Sequence, residues 1–264
     1  MARSIRPLIS LLTDFGTRDP FVGVMKGVIL GINPDVLLVD LTHGIPPQNV
    51  AAGAFALATS HAYLPAGSIH LAVVDPGVGS DRRGIAIQTA RATFVGPDNG
   101  LFSLALAELA PEEYRAVALL EAKYWLPEVS ATFHGRDIFA PVAACLSLGL
   151  PLEQLGPAVS DLVRLPVSTP RTLPDGIIVG HVLHVDRFGN AITNVRGSQV
   201  AFRALIAVGG AQIDELSRSY ADGAELLALI GSTGYLEIAV KNGSAAERLG
   251  LTVGSEVLVS PRRP

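Results

Sequence analysis

The sequence has a single cysteine, Cys145, among 264 residues. One thiol can form neither an internal disulfide bond nor a cysteine cluster around a metal ion. Cys145 lies within an apolar helical pattern, so we expect it to be a small residue of the core. A chain that uses no disulfide bond suits a reducing compartment, and the expected location is the cytoplasm.

Long basic runs and long apolar stretches are also absent from the sequence. With a net charge of -4 and no cluster of lysine and arginine, the chain offers no electrostatic surface for nucleic acid or anionic lipid. The apolar segment at residues 8–12 is too short for the core of a signal peptide or for a membrane-spanning helix. We therefore expect no nucleic-acid partner and no membrane partner.

Strand and helix patterns alternate along the first half of the chain. They follow the order strand, helix, strand, helix, strand, over residues 8–13, 21–32, 36–41, 48–63 and 69–74. This alternation predicts an α/β domain with a mostly parallel sheet covered by helices.

Further segments complete the predicted α/β domain. They are two strands, at residues 84–89 and 92–95, and two helices, at residues 101–109 and 137–148.

Prolines then interrupt residues 149–174, a stretch without clear periodicity. We place the domain boundary there, with an N-terminal α/β domain at 1–160, a linker at 161–174 and a C-terminal β domain at 175–264. Beyond the linker the apolar runs are short and bounded by turn residues, which predicts a small, barrel-like all-β domain.

The stretch at residues 73–84 follows a predicted buried strand. Asp75 stands where that strand ends, which is where open parallel sheets bind ligands. Proline and glycine then turn the chain, and Arg82 places a guanidinium on the same loop as the carboxylate. Taken alone, the loop fits a tight surface turn with solvated arginines equally well.

Two more polar clusters lie in the first half. Asp14 follows the first strand, and its carboxylate could accept two hydrogen bonds from a ribose diol. Asp19 precedes Pro20 and is well placed to cap the following helix. His134 precedes a helix that Asp137 could start; a histidine titrates near neutrality and can relay a proton, although such a histidine is more often structural.

In the second half, residues 185–194 interrupt a β segment with a polar bend. Asn190 offers both a donor and an acceptor, as a purine edge requires, and Phe188 offers a face for stacking. Residues 231–237 form a similar bend between glycines. Both patterns also fit ordinary β-turns.

Taken together, these motifs resemble the S-adenosyl-L-methionine (SAM) hydroxide adenosyltransferases. These are SAM hydrolases that form adenosine, and they are related to fluorinating and chlorinating enzymes that attack SAM. The resemblance runs from residue 8 to the C-terminus. The motifs that carry it are TDFG at 13–16, VVDPGVGS-x-RR at 73–83, GPDNG at 96–100, FHGRDIFAP at 133–141, VDRFGNAITN at 185–194 and GSTGYLEIAV at 231–240.

The resemblance implies the activity and the assembly. It implies hydrolysis of SAM to adenosine and L-methionine by attack of water on the ribose 5′ carbon, without a metal or another cofactor. It also implies a homotrimer with SAM bound where the N-terminal domain of one subunit meets the C-terminal domain of a neighbour. Asp75, Arg82 and His134 are implied to activate the water.

The resemblance also implies the residues that bind the substrate. Asp14 is expected at the ribose hydroxyls, Asp19 and Asp186 near the methionine ammonium, and further side chains around the adenine. The residues expected at or near the adenine are Phe188, Asn190, Val240, Ser232, Tyr235 and Glu237.

Three other functions stay open at this point. A related halogenase would attack SAM with a halide, but the carboxylate of Asp75 would repel that anion. A SAM-dependent methyltransferase usually has a glycine-rich loop after its first strand, and residues 13–19 contain one glycine. A sensor could bind SAM or adenosine without turnover.

Overall fold

The computed structural model describes residues 6–166, 168–222 and 224–261. The chain divides into two compact units, one ending at Leu165 and the other beginning at Pro166. Parts of the predicted domains, linker and amino-terminal segment fall on residues 1–5, 167, 223 and 262–264, which lie outside the described residues.

The first unit contains both strands and helices. The strands are β1 (Leu8–Thr13), β2 (Leu37–Thr42), β3 (Ser68–Val73), β4 (Gly84–Thr89), β5 (Ala92–Pro97) and β6 (Tyr114–Ala118). The α-helices are α1 (Phe21–Ile32), α2 (Val50–Ser60) and α3 (Ala140–Ser147), and a π-helix, Gly135–Phe139, leads into α3. Short 3-10 helices lie at His61–Tyr63, Pro111–Glu113, Ala122–Tyr124 and Leu152–Leu155.

These strands form a sheet with the order β2-β1-β3-β5-β4-β6. The pairs β1–β2, β1–β3 and β3–β5 are parallel, whereas β4 runs antiparallel to β5 and β6. The predicted mostly parallel sheet is confirmed. Thr13 lies opposite Val73, so β1 and β3 end at the same edge of the sheet.

Both faces of the central strands β1 and β3 are buried. Leu11 of β1 packs in one cluster with Met25 of α1, whereas Leu12 packs in the opposite cluster with Leu57 of α2. Successive strand residues point to opposite faces, so a strand covered on both sides needs apolar residues at almost every position. This requirement explains the continuous apolar run in β1.

A polar pair lies in the middle of this apolar sheet. Ser10 of β1 and His70 of β3 are opposite each other and buried, with Oγ and Nδ1 2.7 Å apart. Burial lowers the pKa of His70 to about 4, and the nearby His61 adds to this. The His70 ring is therefore neutral at pH 7.

The helix predicted at residues 101–109 is wrong. The segment is a series of turns with mixed hydrogen-bond spacing, in which Ser103 N–H donates to the Gly100 carbonyl and Leu106 N–H donates to the Phe102 carbonyl. Apolar side chains of the segment are buried on one side. One-sided burial produced the helix-like spacing, although the backbone makes no regular helical ladder.

The second unit is built mainly from antiparallel strands. They are β7 (Arg171–Thr172), β8 (Ile178–Val185), β9 (Ala191–Arg196), β10 (Leu205–Val208), β11 (Ala211–Ile213), β12 (Leu226–Ile230), β13 (Tyr235–Val240) and β14 (Glu256–Ser260). A 3-10 helix, Gly197–Gln199, and a short helix, α4 (Ala245–Leu249), complete the unit.

The strand order of the second unit is β11-β10-β14-β8-β9-β13-β12, with β7 paired to β8. A bridge between Leu216 and Ala228 joins the segment after β11 to β12, so the sheet nearly closes on itself. The predicted barrel-like β domain is confirmed. No helix in the described part of the chain has the length and apolar character needed to cross a membrane.

Candidate active site

Two of the predicted carboxylates lie at one edge of the first sheet. Asp14 directly follows β1, and Asp75 lies two residues beyond the end of β3. Because these neighbouring strands are parallel, their carboxyl ends share an edge of the sheet. The order of the elements is therefore enough to bring both carboxylates to the same side.

Asp75 and Arg82 form an ion pair with several hydrogen bonds. Arg82 Nε lies 2.9 Å from Asp75 Oδ1 and 3.0 Å from Oδ2, and Nη2 also donates to Oδ2. The side chains of Asp75 and Arg82 are only 5% and 11% exposed. Charge-assisted bonds of this kind fix the direction of both groups.

Glycine brings the turn at residues 75–82 close to the segment that precedes His134. Gly79 has a φ of +78°, and a Cβ added there would lie 2.4 Å from the carbonyl oxygen of Ala131. No residue with a side chain fits that approach without displacing the Ala131 carbonyl. The close packing holds the two parts of the site together.

His134 contacts the ion pair through Arg82. Its Nδ1 lies 2.8 Å from Arg82 Nη2, and because a guanidinium only donates, Nδ1 is the acceptor. The neutral ring therefore carries its proton on Nε2. Burial, and next the charge of Arg82, lowers the pKa of His134, while Asp75 and Asp137 act in the opposite direction. His134 is accordingly neutral at pH 7.

His134 precedes the π-helix Gly135–Phe139, which Ala140 closes by donating its backbone N–H to the carbonyl of Gly135. The predicted start of a helix at Asp137 is wrong. Asp137 is fully buried inside the π-helix, and its carboxylate accepts a hydrogen bond from the Ser130 backbone at 2.8 Å. π-helical turns often occur at functional sites.

Phe139 is a residue of this site that the sequence analysis missed. The guanidinium of Arg82 lies 5.2 Å from the centre of the Phe139 ring, and Phe139 is fully buried. This cation–π contact fixes the guanidinium from the side of the core. Phe139 lies within the FHGRDIFAP motif, but its apolar side chain looks like any other core residue of a helix, so nothing in the sequence assigned it a role of its own.

Asp14 and Asp19 have different surroundings. Asp14 accepts a hydrogen bond at 2.7 Å from the backbone N–H of Gln48, whose φ of +65° is left-handed. Asp19 is exposed, and the prediction that it caps α1 is wrong. Pro20 takes the cap position, and no side chain makes a hydrogen bond there.

Three aromatic rings connect the Asp14 loop to His134. Phe15, Phe21 and Phe133 form a cluster with ring centres 5.3 to 5.8 Å apart. Phe15 follows Asp14, and Phe133 precedes His134. The cluster therefore holds two of the sequence motifs against each other.

In the second unit, Asp186 organises the turn between β8 and β9. Its Oδ1 accepts hydrogen bonds from the backbone N–H groups of Phe188 and Asn190, and its Oδ2 accepts one from the Asn190 side chain, all at 2.9 Å. Asn190 is buried, whereas Phe188 is 76% exposed. The turn thus presents a large aromatic ring that can stack on a ligand.

Glu237 of β13 is buried and accepts a hydrogen bond from the hydroxyl of Tyr220. Burial raises the pKa of Glu237, the bond from Tyr220 opposes this, and the charge of Asp186 adds to it. Burial, together with the bond to Glu237, also raises the pKa of Tyr220. The sequence analysis missed Tyr220, because it lies in a segment without strand or helix periodicity.

The other candidates of the second unit lie along β13. Ser232 is exposed in the turn before the strand, and Val240 is half-buried at its end. Tyr235 begins the strand, with the guanidinium carbon of Arg196 4.1 Å from its ring centre.

The first unit thus brings a carboxylate and an imidazole into contact with the same guanidinium. Such a set can orient a water molecule, stabilise negative charge and accept a proton. Among the described residues, no group of three or more His, Cys, Asp or Glu side chains is arranged to hold a metal ion.

Two family models match the chain. The SAM hydroxide adenosyltransferase N-terminal domain matches residues 9–156, and the corresponding C-terminal domain matches residues 180–258. The chain belongs to the SAM hydroxide adenosyltransferase family. The resemblance inferred from the sequence motifs is confirmed.

Three relatives of this chain align with it over almost its whole length. An (R)-S-adenosyl-L-methionine hydrolase of Salinispora tropica is 44% identical, and the alignment covers 96% of this chain and 98% of the relative. One of Thermus thermophilus is 46% identical, with 96% and 99% covered. A fluorinase of Nocardia brasiliensis is more distant, at 29% identity, with 96% and 97% covered.

Two solved structures are similar to this chain and match it over nearly its whole length. An uncharacterized conserved protein from Thermotoga maritima superposes with a TM-score of 0.87 at 34% identity, and the match covers 96% of this chain and all of that one. A conserved hypothetical protein from Thermus thermophilus gives a TM-score of 0.79 at 42% identity, with 97% and 100% covered.

Proposed function

We propose that this chain hydrolyses SAM to adenosine and L-methionine and prefers the epimer with the R configuration at sulfur. The observation that carries the proposal is the contact set of Asp75, Arg82 and His134. This set occurs in a chain whose relatives at 44% and 46% identity are (R)-SAM hydrolases.

The proposed step is an in-line displacement at the ribose 5′ carbon. A water oxygen forms a bond to this carbon, and the carbon–sulfur bond breaks with its electron pair staying on sulfur. The water proton leaves to a base. A sulfonium leaves well without protonation, so the step needs no cofactor, and the protein has to align and desolvate the water.

Asp75 is the proposed proton acceptor. Nδ1 of His134 already accepts a hydrogen bond from Arg82, so the neutral ring offers the water only the Nε2–H donor. Oδ1 of Asp75 accepts one hydrogen bond from Arg82 and keeps a lone pair for the water, and the charge of Arg82 favours a developing hydroxide. We therefore assign deprotonation to Asp75 and orientation of the water to His134.

The other candidate residues are assigned to holding SAM. A carboxylate such as Asp14 can accept hydrogen bonds from both ribose hydroxyls, Phe188 can stack on adenine, and Asn190 can hydrogen-bond its edge. Asp19 and Asp186 suit the cationic methionine ammonium. The full proposed binding set is Asp14, Asp19, Asp186, Phe188, Asn190, Ser232, Tyr235, Glu237 and Val240.

Halide transfer and ligand sensing are the competing functions. Against halide transfer stands the buried carboxylate of Asp75, which repels an anionic nucleophile, and the fluorinases are only 28% and 29% identical. The contact set of Asp75, Arg82 and His134 argues against pure sensing, because ligand binding alone does not require a group that accepts a proton.

The experiment incubates the purified protein with each SAM epimer in oxygen-18 water, with and without added chloride. We expect labelled adenosine and methionine, formed faster from the R epimer, as measured by chromatography with mass detection. Chloroadenosine as the product would make the protein a halogenase. Intact SAM with measurable binding would make it a sensor.

We also propose a homotrimer, with SAM bound between the first unit of one copy and the second unit of another. Support comes from apolar side chains left exposed on α1 and on the edge strand β2. An ion pair between Lys26 and Asp40 links these two elements into one surface. The exposed apolar residues of that surface, between 37% and 44% accessible, are Phe21, Val24, Leu30, Leu37 and Val39.

Mixing two inactive variants tests this assembly. Asp75→Asn damages the first unit and Asn190→Ala damages the second, so a mixed trimer contains sites whose two halves are both intact. After subunit exchange, confirmed by native mass spectrometry, we expect activity to return to about a quarter of that of the unmodified protein. Exchange without recovery would place each complete site within one chain.

A further inference from the structure

His43 lies in a chain of polar contacts beside the Asp14 loop. Its Nδ1 is 2.8 Å from Thr13 Oγ1, and its Nε2 is 3.0 Å from Asp40 Oδ1. Asp40 also pairs with Lys26 of α1, at 2.6 Å. A continuous path of polar groups therefore runs from the surface to the end of β1.

Between Thr13 and Asp40, each group can donate a hydrogen bond to the next. Thr13 Oγ1 accepts a hydrogen bond from the backbone N–H of Phe15 at 3.2 Å and keeps its own proton, which it can donate to His43 Nδ1. His43 Nε2 then carries the ring proton and faces the carboxylate of Asp40, which only accepts. Asp40 thus selects the tautomer in which His43 can accept from Thr13.

The same segment also holds the Asp14 loop through the backbone. Gly16 N–H donates to the His43 carbonyl at 2.8 Å, so His43 is bound to residues on both sides of Asp14. A few residues later, Gln48 N–H donates directly to the Asp14 carboxylate at 2.7 Å. The direction of that carboxylate therefore depends on where the segment at residues 43–48 is held.

We propose that His43 is a positioning residue for substrate recognition: by holding Thr13, it orients Asp14 toward the ribose hydroxyls. This inference rests on the proposed function, which assigns Asp14 to the ribose. His43 is only 6% exposed, so it acts through its neighbours and not by touching the substrate. A carboxylate held in the binding direction loses less conformational freedom when the ligand arrives.

The test compares nucleosides that differ by one hydroxyl. In His43→Gln the amide can still reach Asp40, but the acceptor for Thr13 is lost. We expect adenosine to bind this variant about tenfold more weakly, while 2′-deoxyadenosine binding changes little, as measured by calorimetry. The KM for SAM should rise by a similar factor with a smaller change in kcat. His43→Asn, which keeps an acceptor near the Nδ1 position, should lose less.

His70→Gln is the matched control. His70 is also buried, and its Nδ1 also contacts a hydroxyl, that of Ser10, in the same sheet. This control should lower the melting temperature yet keep the preference for adenosine. The proposal is overturned if His43→Gln keeps the preference, or if His70→Gln loses it equally.

Three further outcomes have to be distinguished. If His43→Gln does not fold, Asp40→Asn replaces it, since the Asp40 side chain is 42% exposed, and an unchanged preference there overturns the proposal. If the unmodified protein prefers adenosine and His43→Gln loses that preference, but SAM stays intact, the proposed reaction fails and the role of His43 stands. If it binds both nucleosides equally, the role of His43 fails.

Discussion

Asp75→Asn is expected to lower kcat for SAM hydrolysis by about 10²- to 10⁴-fold, the usual contribution of a general base. Asparagine has nearly the same shape, and its carbonyl oxygen can still accept from Arg82, but it cannot take a proton from water. KM should change much less, because the proposed role of Asp75 is at the water and not at the adenosine or methionine ends. Steady-state kinetics with chromatographic detection of adenosine measure both constants.

Asp161→Asn is the control for this change. Asp161 accepts a hydrogen bond at 2.7 Å from Arg83, the sequence neighbour of Arg82, and its side chain is 78% exposed. Loss of such an exposed pair should leave kcat within about twofold of the unmodified value. If Asp75→Asn also kept most of its kcat, the ion pair with Arg82 would only fix the turn, and another group would have to take the proton.

His134→Gln is expected to lower kcat/KM by about 10²-fold and to change its pH dependence. The substitution removes the nitrogen that accepts from Arg82, so the guanidinium loses a partner and the donor that faces the water is no longer held in a fixed direction. It also removes a titrating group from the site. Rates measured from pH 5 to 9 separate the loss of activity from the loss of titration.

The sign of the pH effect follows from the tautomer. A proton on Nδ1 of His134 would break the bond from Arg82 and place two positive charges together, so the neutral ring is the active form. Burial and Arg82 lower the pKa of His134 below its ordinary value of 6.5. The rate of the unmodified protein should therefore be level at pH 7 and fall only as the pH drops below 6.5. His134→Gln should lack this fall.

His61→Gln tests whether the fall belongs to His134. Burial also lowers the pKa of His61, whose ring makes edge-to-face contacts with His70 and Phe94. This variant should keep the acid fall in rate. If His134→Gln kept it and His61→Gln lost it, the assignment to His134 would be wrong.

Local apolar patterns predicted most of the fold, because the residue pattern of each strand reflects which of its faces are buried. Residues 8–13 are apolar at nearly every position, as required of a strand between two helical layers, and β1 spans the same residues. Glycine marks the turns around β13, as expected of a short strand bounded by turn residues. The helix prediction for residues 101–109 failed because apolar spacing shows which side of a segment is buried and not which carbonyl each backbone N–H contacts.

The candidate site could be predicted only in part. The motifs gave the residue types and the strand ends, which was enough to expect Asp75 and Arg82 on one loop. That His134 contacts Arg82, and that Phe139 stacks on it, depends on packing between segments far apart in sequence. Tyr220 lies opposite Glu237 for the same reason. The functional assignment of these residues stays a prediction.

The π-helix at Gly135–Phe139 fixes the number of residues in this part of the chain. Its closing hydrogen bond spans five residues, one more than in an α-helix. Deleting one residue would restore an α-helical turn and rotate His134 by about 100° around the helix axis, away from Arg82. A length change in this turn would therefore separate the imidazole from the guanidinium, whereas a length change in an exposed loop leaves that contact in place.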